Sequence, residues 1–258
     1  MVMHHLKSSS AWFSLIPLIA VNTFILTMML IFRWVYRKRD RLKEVEERHA
    51  SKFLNRWIRE FWLWLTDPLV RFFVRYHFTP NAVTVIGVLL SFVSATFLAR
   101  GNFGLGGWVM VVAASFDIFD GRVARATGQE TKSGAYFDSV MDRVSESSLF
   151  LGLALHYRHD WGLWIVILAL VGSFMVSYTK AQGGANGVNY SGGSMQRPER
   201  IVYMGVGAIF APIVGGIVNY YVSFDSTNTV YLLPLAFVAL MTWVTTYDRM
   251  SHTMKLMK

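Results

Sequence analysis

The sequence lacks cysteine altogether and is poor in acidic residues. Without thiols the chain forms no disulfide and has no cysteine nucleophile, so it gives no indication of its redox compartment. Its 16 acidic residues are outnumbered by 25 lysines and arginines, for a formal net charge of +9. Such a surplus is typical of proteins that bind nucleic acid or an anionic membrane surface. Because the basic residues cluster beside apolar segments, we expect a lipid bilayer as partner and no nucleic acid.

Apolar residues, by contrast, are abundant: 53% of the chain is hydrophobic and 15% is aromatic. The length alone fits either a large soluble domain or a helical membrane protein. Apolar runs near the length that crosses a bilayer favour the membrane protein. These runs cover residues 11–32, 80–99, 105–125, 134–156, 162–180, 200–223 and 229–248. We therefore predict an all-α, polytopic membrane protein with a six-helix transmembrane core and one extra N-terminal transmembrane helix.

Basic residues beside the apolar runs predict the orientation of the chain in the membrane. Residues 11–32 carry no charge, and a basic stretch at 33–43 follows them. A signal peptide has its positive charge before the apolar run, so this segment is better interpreted as an anchor with its N-terminus outside. Six core crossings then return Arg249, Lys255 and Lys258 to the cytoplasm. We expect an integral protein of the cell inner membrane with a cytoplasmic C-terminus.

Residues 51–78 have a different pattern from the spanning runs. Apolar residues recur there at steps of three and four, and basic residues occupy the remaining faces. This pattern predicts an interfacial amphipathic helix, and a soluble amphipathic core helix is the alternative. Asp67 and Pro68 are expected to divide it in two, with Asp67 capping the second half. The predicted domains are thus an anchor with its basic flank (1–50), the interfacial helix (51–78) and the core (79–258).

Four aspartates stand out inside these apolar segments. Asp117 and Asp120 are three residues apart and share a helix face, and Asp138 and Asp142 are four apart on the next helix. The polar turn between the helices, residues 126–133, can bring the two pairs together. Carboxylates this close repel one another unless a cation lies between them, and oxygen ligands suit Mg²⁺ or Mn²⁺. The sequence therefore predicts a divalent-metal site, at the cytoplasmic end of the helices, for a phosphate-bearing substrate.

The spacing of these residues resembles the signature of the CDP-alcohol phosphotransferase (CDP-alcohol phosphatidyltransferase) family. Every fixed position is present in Asp117-x2-Asp120-Gly121-x2-Ala124-Arg125-x8-Gly134-x3-Asp138-x3-Asp142. The resemblance implies a phosphotransferase of the membrane that moves a phosphatidyl group from CDP-diacylglycerol to an alcohol acceptor, releases CMP and acts as a homodimer. It further implies that Asp117, Asp120 and Asp138 bind the metal, with Asp142 near enough to share it and to act as general base.

The same resemblance assigns the nucleotide side of the site. It places Asn81, Thr84, Gly121, Ala124, Arg125 and Gly134 against the CDP moiety. Alternatives exist for several of these residues. The segment around Asn81 can simply start a helix, Arg125 can neutralise a helix C-terminus, and small residues such as Gly121 and Ala124 also serve close helix packing in membranes. Beside the acids, we expect the small pair to form a groove for the cytidine.

Ser177, Lys180, Arg197 and Arg200 form the predicted acceptor site. With them the chain resembles the phosphatidylinositol-phosphate synthase branch of the family, which implies inositol phosphate as acceptor. The basic residues can alternatively be positive-inside anchors. Gln182 departs from the pattern, since the family usually has arginine there, and the loss of one guanidinium leaves glycerol 3-phosphate, inositol, serine or another alcohol open. The glycine-rich loop at 181–196 is expected either to act as a phosphate cradle or lid, or to be an ordinary connection.

Two functions outside phosphatidyl transfer are alternatives to this prediction. A cation or proton transporter needs charged groups at mid-membrane depth on several helices, whereas the acids here lie at one predicted level. A lipid-binding relative without activity is expected to lack one of the four aspartates, and all four are present.

Overall fold

A computed structural model describes residues 9–36, 56–190, 192–221 and 226–257, and this part of the chain is entirely helical apart from its turns. The eight helices in these ranges are α1 (Ser9–Tyr36), α2 (Arg56–Arg75), α3 (Pro80–Ala99), α4 (Phe103–Thr127), α5 (Lys132–His156), α6 (Gly162–Ala185), α7 (Arg197–Tyr221) and α8 (Thr227–Leu256). The all-α fold predicted from the sequence is confirmed. The basic flank at 37–43 lies outside the described residues.

Six of the described helices are long and apolar enough to cross a membrane: all except α2 and α5. α5 has 25 residues, as α4 and α7 do, but its charged side chains lower its hydropathy. It is nevertheless packed closely along α3 in the bundle. The fold is that of a polytopic membrane protein, as predicted.

Small residues bring the core helices into close contact. A Cβ atom on Gly152 of α5 would lie 2.4 Å from the carbonyl oxygen of Ala95 in α3, and one on Gly107 of α4 would lie 2.7 Å from that of Gly205 in α7. Such backbone-to-backbone approach is how helices associate in membranes, where lipid tails remove the hydrophobic drive between helices. α3 packs against α4 and α5, α7 against α4 and α8, and α6 against α8.

Short connections make the core helices antiparallel and give the bundle two distinct ends. One end, here called the site end, carries the α4–α5 turn at 128–131. At the opposite end, the imidazole of His156 lies 2.9 Å from the side-chain oxygen of Asn228, and the hydroxyl of Tyr157 donates to the Asn228 carbonyl at 2.8 Å. These bonds join the end of α5 to the beginning of α8.

The extra N-terminal helix α1 packs on the outside of the core. Near its N-terminus, Ser14 lies against Gly104 of α4, where a Cβ atom would overlap the serine hydroxyl. Near its C-terminus, the ring of Phe32 is 5.7 Å from the rings of both Trp57 and Phe61 in α2. α1 therefore runs along the whole bundle and reaches α2 at the site end.

The predicted break in α2 at Pro68 is wrong, because α2 is continuous from Arg56 to Arg75. A proline inside a helix removes one backbone donor and crowds the preceding turn. The carbonyl of Leu63, five residues before the proline, accepts bonds from Arg122 of α4 at 3.1 Å and from the Thr66 hydroxyl at 3.3 Å, and the Arg122 bond joins this part of α2 to α4. Asp67 pairs with Arg122 at 3.2 Å and with Arg71, and no cap at Asp67 is needed.

Candidate active site

The acids converge where α4 turns into α5. α4 ends at Gly128, whose left-handed backbone (φ 65°) closes the helix, and Thr131 caps α5 by accepting from the Gly134 amide at 3.0 Å. This four-residue turn sets the first half of α5 beside the last half of α4. As predicted, the two helices bring acids from both pairs together.

Three carboxylates form a compact cluster, here called the acid cluster: Asp117, Asp120 and Asp138. One oxygen of each lies within 4.8 Å of the others. Asp120 is buried, and the hydroxyl of Thr84 donates to its Oδ2 at 2.6 Å. Oδ1 of Asp138 is buried, and no donor reaches it among the described residues. Converging oxygen ligands with an unmatched buried oxygen fit Mg²⁺ or Mn²⁺, which are hard cations.

Asp142 is placed differently from the other three acids. Its Oδ1 pairs with Nη2 of Arg197 at 2.8 Å, and its Oδ2 lies 3.8 Å from Arg143. Arg197 also reaches Asp117 at 3.1 Å, so one guanidinium from α7 bridges an acid of α4 and an acid of α5. Asp142 thus lies at the border of the acid cluster, next to positive charge.

A cavity of about 710 Å³ opens on one side of the acid cluster, and we call it the nucleotide cavity. Five of the six residues predicted to bind the nucleotide line it: Asn81, Thr84, Gly121, Ala124 and Gly134. Asp120 and Asp138 form its boundary with the acid cluster. Arg125 is not part of the lining, but a Cβ atom on Gly121 would lie only 3.5 Å from its guanidinium.

A second cavity, of about 840 Å³, opens on the other side, and we call it the acceptor cavity. All four residues predicted to bind the acceptor line it: Ser177, Lys180, Arg197 and Arg200. Asp117 and Asp142 form its boundary with the acid cluster. Gln182, the position that departs from the family pattern, is exposed and is not part of this lining, whereas its neighbours Ala181 and Gly184 are.

Arg143 and Arg249 also line the acceptor cavity, although neither was predicted as an acceptor-binding residue. Arg143 follows Asp142 directly and donates to the hydroxyl of Ser177. From its position in the sequence, Arg249 is predicted only as a cytoplasmic positive charge. Its proximity to the site depends on how α8 packs against α6, which no local pattern indicates.

A buried ion pair fixes Arg200. Both Arg200 and Glu146 are 1% exposed, and the guanidinium makes two bonds to the carboxylate, at 2.6 and 2.9 Å. Arg143 reaches the same carboxylate at 3.1 Å. A buried bidentate pair of this kind restricts the guanidinium to one orientation. Arg200 is therefore held in the cavity wall by Glu146, a partner 54 residues away that the sequence analysis missed.

A sequence model of the family described as CDP-alcohol phosphatidyltransferase matches residues 77–243. The chain belongs to this family. The matched range contains the acid cluster and the residues predicted for the nucleotide and acceptor sites. α1 and α2 precede it.

Curated relatives of this phosphatidyltransferase act in inositol-lipid synthesis, according to their names. The phosphatidylinositol phosphate synthase of Mycobacteroides abscessus is 37% identical over 158 residues, which cover 59% of this chain and 72% of the relative. The archaetidylinositol phosphate synthase of Pyrococcus horikoshii is 32% identical over 178 residues, or 69% and 84% of the two chains.

Solved structures agree with the fold. The phosphatidylinositol phosphate synthase of Mycobacterium tuberculosis in complex with manganese and citrate superposes with a TM-score of 0.64 at 28% identity, covering 73% of this chain and 88% of that one. The same enzyme with CDP-DAG bound gives a TM-score of 0.61 at 29% identity, covering 73% and 92%.

Proposed function

We propose that this phosphatidyltransferase moves the phosphatidyl group of CDP-diacylglycerol to a hydroxyl group of inositol phosphate and releases CMP. The arrangement of two cavities on opposite sides of one acid cluster carries the proposal. The nucleotide cavity is lined by the residues predicted for CDP, and the acceptor cavity by the residues predicted for the alcohol. A transfer reaction needs two substrates that meet at one reacting centre.

In the nucleotide cavity, Gly121 and Ala124 leave the surface of α4 bare for the cytidine, and Asn81 and Gly134 flank it. Thr84 has a second role besides lining this cavity, because its hydroxyl orients Asp120. We assign Arg125 to the CDP phosphates from its position beside Gly121.

Asp117, Asp120 and Asp138 would hold Mg²⁺ or Mn²⁺, with Asp142 at the border of the same cluster. A manganese complex of the Mycobacterium tuberculosis relative supports this assignment. When bound, the metal neutralises the diphosphate and stabilises the charge that develops on the departing CMP.

On the acceptor side, Asp142 is the proposed general base. Its carboxylate takes the proton of the attacking hydroxyl, the acceptor oxygen bonds to the lipid-side phosphorus, and the bond from that phosphorus to the oxygen of CMP breaks. Arg197 contacts Asp142 at 2.8 Å and so holds its carboxylate in place. No covalent intermediate with the protein is required, since both substrates have their own cavity.

The charge of the acceptor cavity favours a phosphorylated alcohol over an uncharged one. Five basic side chains line it: Arg143, Lys180, Arg197, Arg200 and Arg249. Lys180 and Arg197, with the hydroxyl of Ser177, are the groups we assign to the acceptor phosphate. Because Gln182 lies outside the lining, its departure from the family pattern removes less positive charge than the sequence suggested. Glycerol 3-phosphate is the second candidate acceptor, ahead of inositol and serine.

We further propose that the site end faces the cytoplasm of the cell inner membrane, that the N-terminus is outside and that the protein is a homodimer. The basic residues of α2, α7 and α8 at the site end support the orientation. The convergence of Asp117, Asp120, Asp138 and Asp142 at this end also argues against the transporter alternative, which needs a charged path through the bilayer.

The experiment is a product analysis with purified protein in detergent or vesicles. CDP-diacylglycerol and Mg²⁺ or Mn²⁺ are incubated with inositol phosphate, inositol, glycerol 3-phosphate or serine, and the lipid product is identified by mass spectrometry. We expect CMP release and a phosphatidylinositol phosphate product, both lost in EDTA and restored by either metal. A product formed only from an uncharged alcohol would overturn the acceptor assignment and leave the transfer chemistry standing.

A further inference from the structure

The described residues of the loop between α6 and α7, 186–190 and 192–196, fold back onto the last turns of α8. The ring of Tyr190 stacks on the imidazole of His252, with centroids 5.0 Å apart and planes 12° apart. Its hydroxyl donates to Oδ2 of Asp248 at 3.2 Å. The other oxygen of Asp248 lies 3.0 Å from Nδ1 of His252, so the carboxylate holds both rings. We call these three residues the tyrosine latch.

Two more contacts join the same loop to α8. Nε of Arg249 donates to the carbonyl of Gly192 at 2.7 Å, and the amide of Met195 donates to the Thr245 hydroxyl at 3.1 Å. The loop therefore contacts positions 245, 248, 249 and 252, which lie on one face of the helix over about two turns.

Two glycines of the loop make this close approach possible. A Cβ atom on Gly193 would lie 2.3 Å from a methyl group of Thr245, and the backbone there is left-handed (φ 102°). A Cβ atom on Gly192 would lie 2.2 Å from the hydroxyl oxygen of Tyr190. The sequence left open whether this glycine-rich loop is an ordinary connection, and an ordinary connection does not account for these contacts.

The loop forms one wall of the acceptor cavity. Asn189, Tyr190 and Gln196 line the cavity together with Arg249, and Asp117, Asp142 and Arg197 line the same cavity. Burial and the hydrogen bond with Asp248 raise the pKa of the Tyr190 phenol, so the hydroxyl stays protonated and remains a donor. A change at Asp248 or His252, which lie outside the lining, would therefore shift a wall that the acceptor touches.

We infer that the tyrosine latch positions the acceptor, with Asp248 and His252 acting through Tyr190. The inference rests on the proposed function, which places the acceptor in this cavity. A fixed wall orients the hydroxyl group that attacks, whereas a loop free to move would leave the alcohol in many orientations. The latch acts on the acceptor alone, because the nucleotide cavity lies on the other side of the acid cluster and shares none of the latch residues in its lining.

The test compares Tyr190→Phe and Asp248→Asn with Tyr247→Phe. The first removes only the hydroxyl and keeps the stacked ring, and the second weakens the contacts of Asp248 with both rings. Tyr247 is the matched control, since it is 69% exposed on the same part of α8. A hydrogen bond of this kind corresponds to a factor of roughly 2–10. We expect the KM for the acceptor to rise by roughly that factor in both latch variants, with the KM for CDP-diacylglycerol and the melting temperature unchanged.

The acceptor of the wild-type protein is identified first. If the proposed acceptor class is wrong, the wild type already fails to use it. If the tyrosine latch is wrong, the wild type uses the acceptor and the latch variants behave like the wild type. Hydrogen exchange of the loop amides needs no acceptor, and we expect it to be faster in Asp248→Asn than in Tyr247→Phe. Unchanged exchange would overturn the latch. Faster exchange with an unchanged acceptor KM would overturn its role in positioning. A double variant no worse than Asp248→Asn alone would support the two residues acting as one unit.

Discussion

Gly121 is the residue at which the nucleotide assignment can be tested most directly. A Cβ atom there meets only the guanidinium of Arg125 at 3.5 Å, an ordinary contact distance. Gly121→Ala should therefore be tolerated, whereas Gly121→Leu should extend into the nucleotide cavity. We expect CDP-diacylglycerol binding to fall by roughly tenfold or more in the leucine variant and by little in the alanine variant.

The measurement is the dissociation constant of CDP-diacylglycerol for both variants, together with their melting temperatures. Leucine suits a membrane helix, so the fold should persist. Equal affinity in the two variants would place the cytidine elsewhere.

Asp138 tests the metal assignment. Asp138→Asn keeps the shape of the side chain but removes the charge and the unmatched carboxylate oxygen. We expect weaker Mn²⁺ binding, measured by electron paramagnetic resonance, and a loss of activity of roughly 100-fold. Asp160→Asn is the control, because Asp160 lies at the opposite end of the bundle, where it accepts a hydrogen bond from the Gly162 amide at 2.7 Å. Wild-type Mn²⁺ affinity in Asp138→Asn would remove this residue from the metal site.

The residue patterns predicted the residues of this site better than they predicted the ion pairs that hold those residues in place. The fixed spacing from Asp117 to Asp142 fits within two adjacent helices and one turn, so local geometry is enough to bring the acids together. Glu146 and Arg200 are 54 residues apart, and no local rule pairs them. Asp142 was expected near enough to the other three acids to share the metal, and its contact with Arg197 of α7 was missed for the same reason.

At the scale of elements, α2 is attached to the core by buried apolar contacts of Val70 and Phe73 and by the polar contacts of one arginine of α4. Arg122 donates to the carbonyl of Leu63, to the hydroxyl of Thr66 at 2.5 Å and to Asp67. The sequence predicted the helix from its period but placed a break at Pro68, because local preferences contain no information about a donor on another helix. Tertiary contacts decided whether the helix continues.

The two arginines that contact Asp67 offer a matched pair of variants, since one arginine is buried and the other is exposed. The side chain of Arg122 is 6% exposed and that of Arg71 is 74% exposed. Exposed pairs contribute about 0–1 kcal/mol, whereas the buried bonds of Arg122 together contribute about 2 kcal/mol. We expect Arg122→Met to lower the melting temperature by roughly 4–8 °C and Arg71→Met to change it by little. Equal shifts would show that α2 does not depend on Arg122.

At the scale of the whole molecule, the absence of cysteine makes the orientation directly measurable. Any single cysteine introduced is the only thiol, so the wild type gives no background labelling. Arg158 is exposed in the α5–α6 turn at the end opposite the site, and Met257 is exposed after α8 at the site end. In intact cells, a membrane-impermeant maleimide should label Arg158→Cys but reach Met257→Cys only after permeabilisation. The reverse result would invert the proposed topology.

The pair of cavities has a consequence for the kinetics. Because each substrate has a separate binding space, both can be bound at once, and initial-rate plots should intersect as they do for a ternary-complex mechanism. CMP should compete with the CDP-lipid and not with the alcohol, because CMP binds only in the nucleotide cavity. A single direct attack also inverts the configuration at phosphorus, which a chiral thiophosphate substrate would record. The configuration at phosphorus in the product lipid would thus show that the alcohol and the departing CMP lie on opposite sides of the reacting phosphorus.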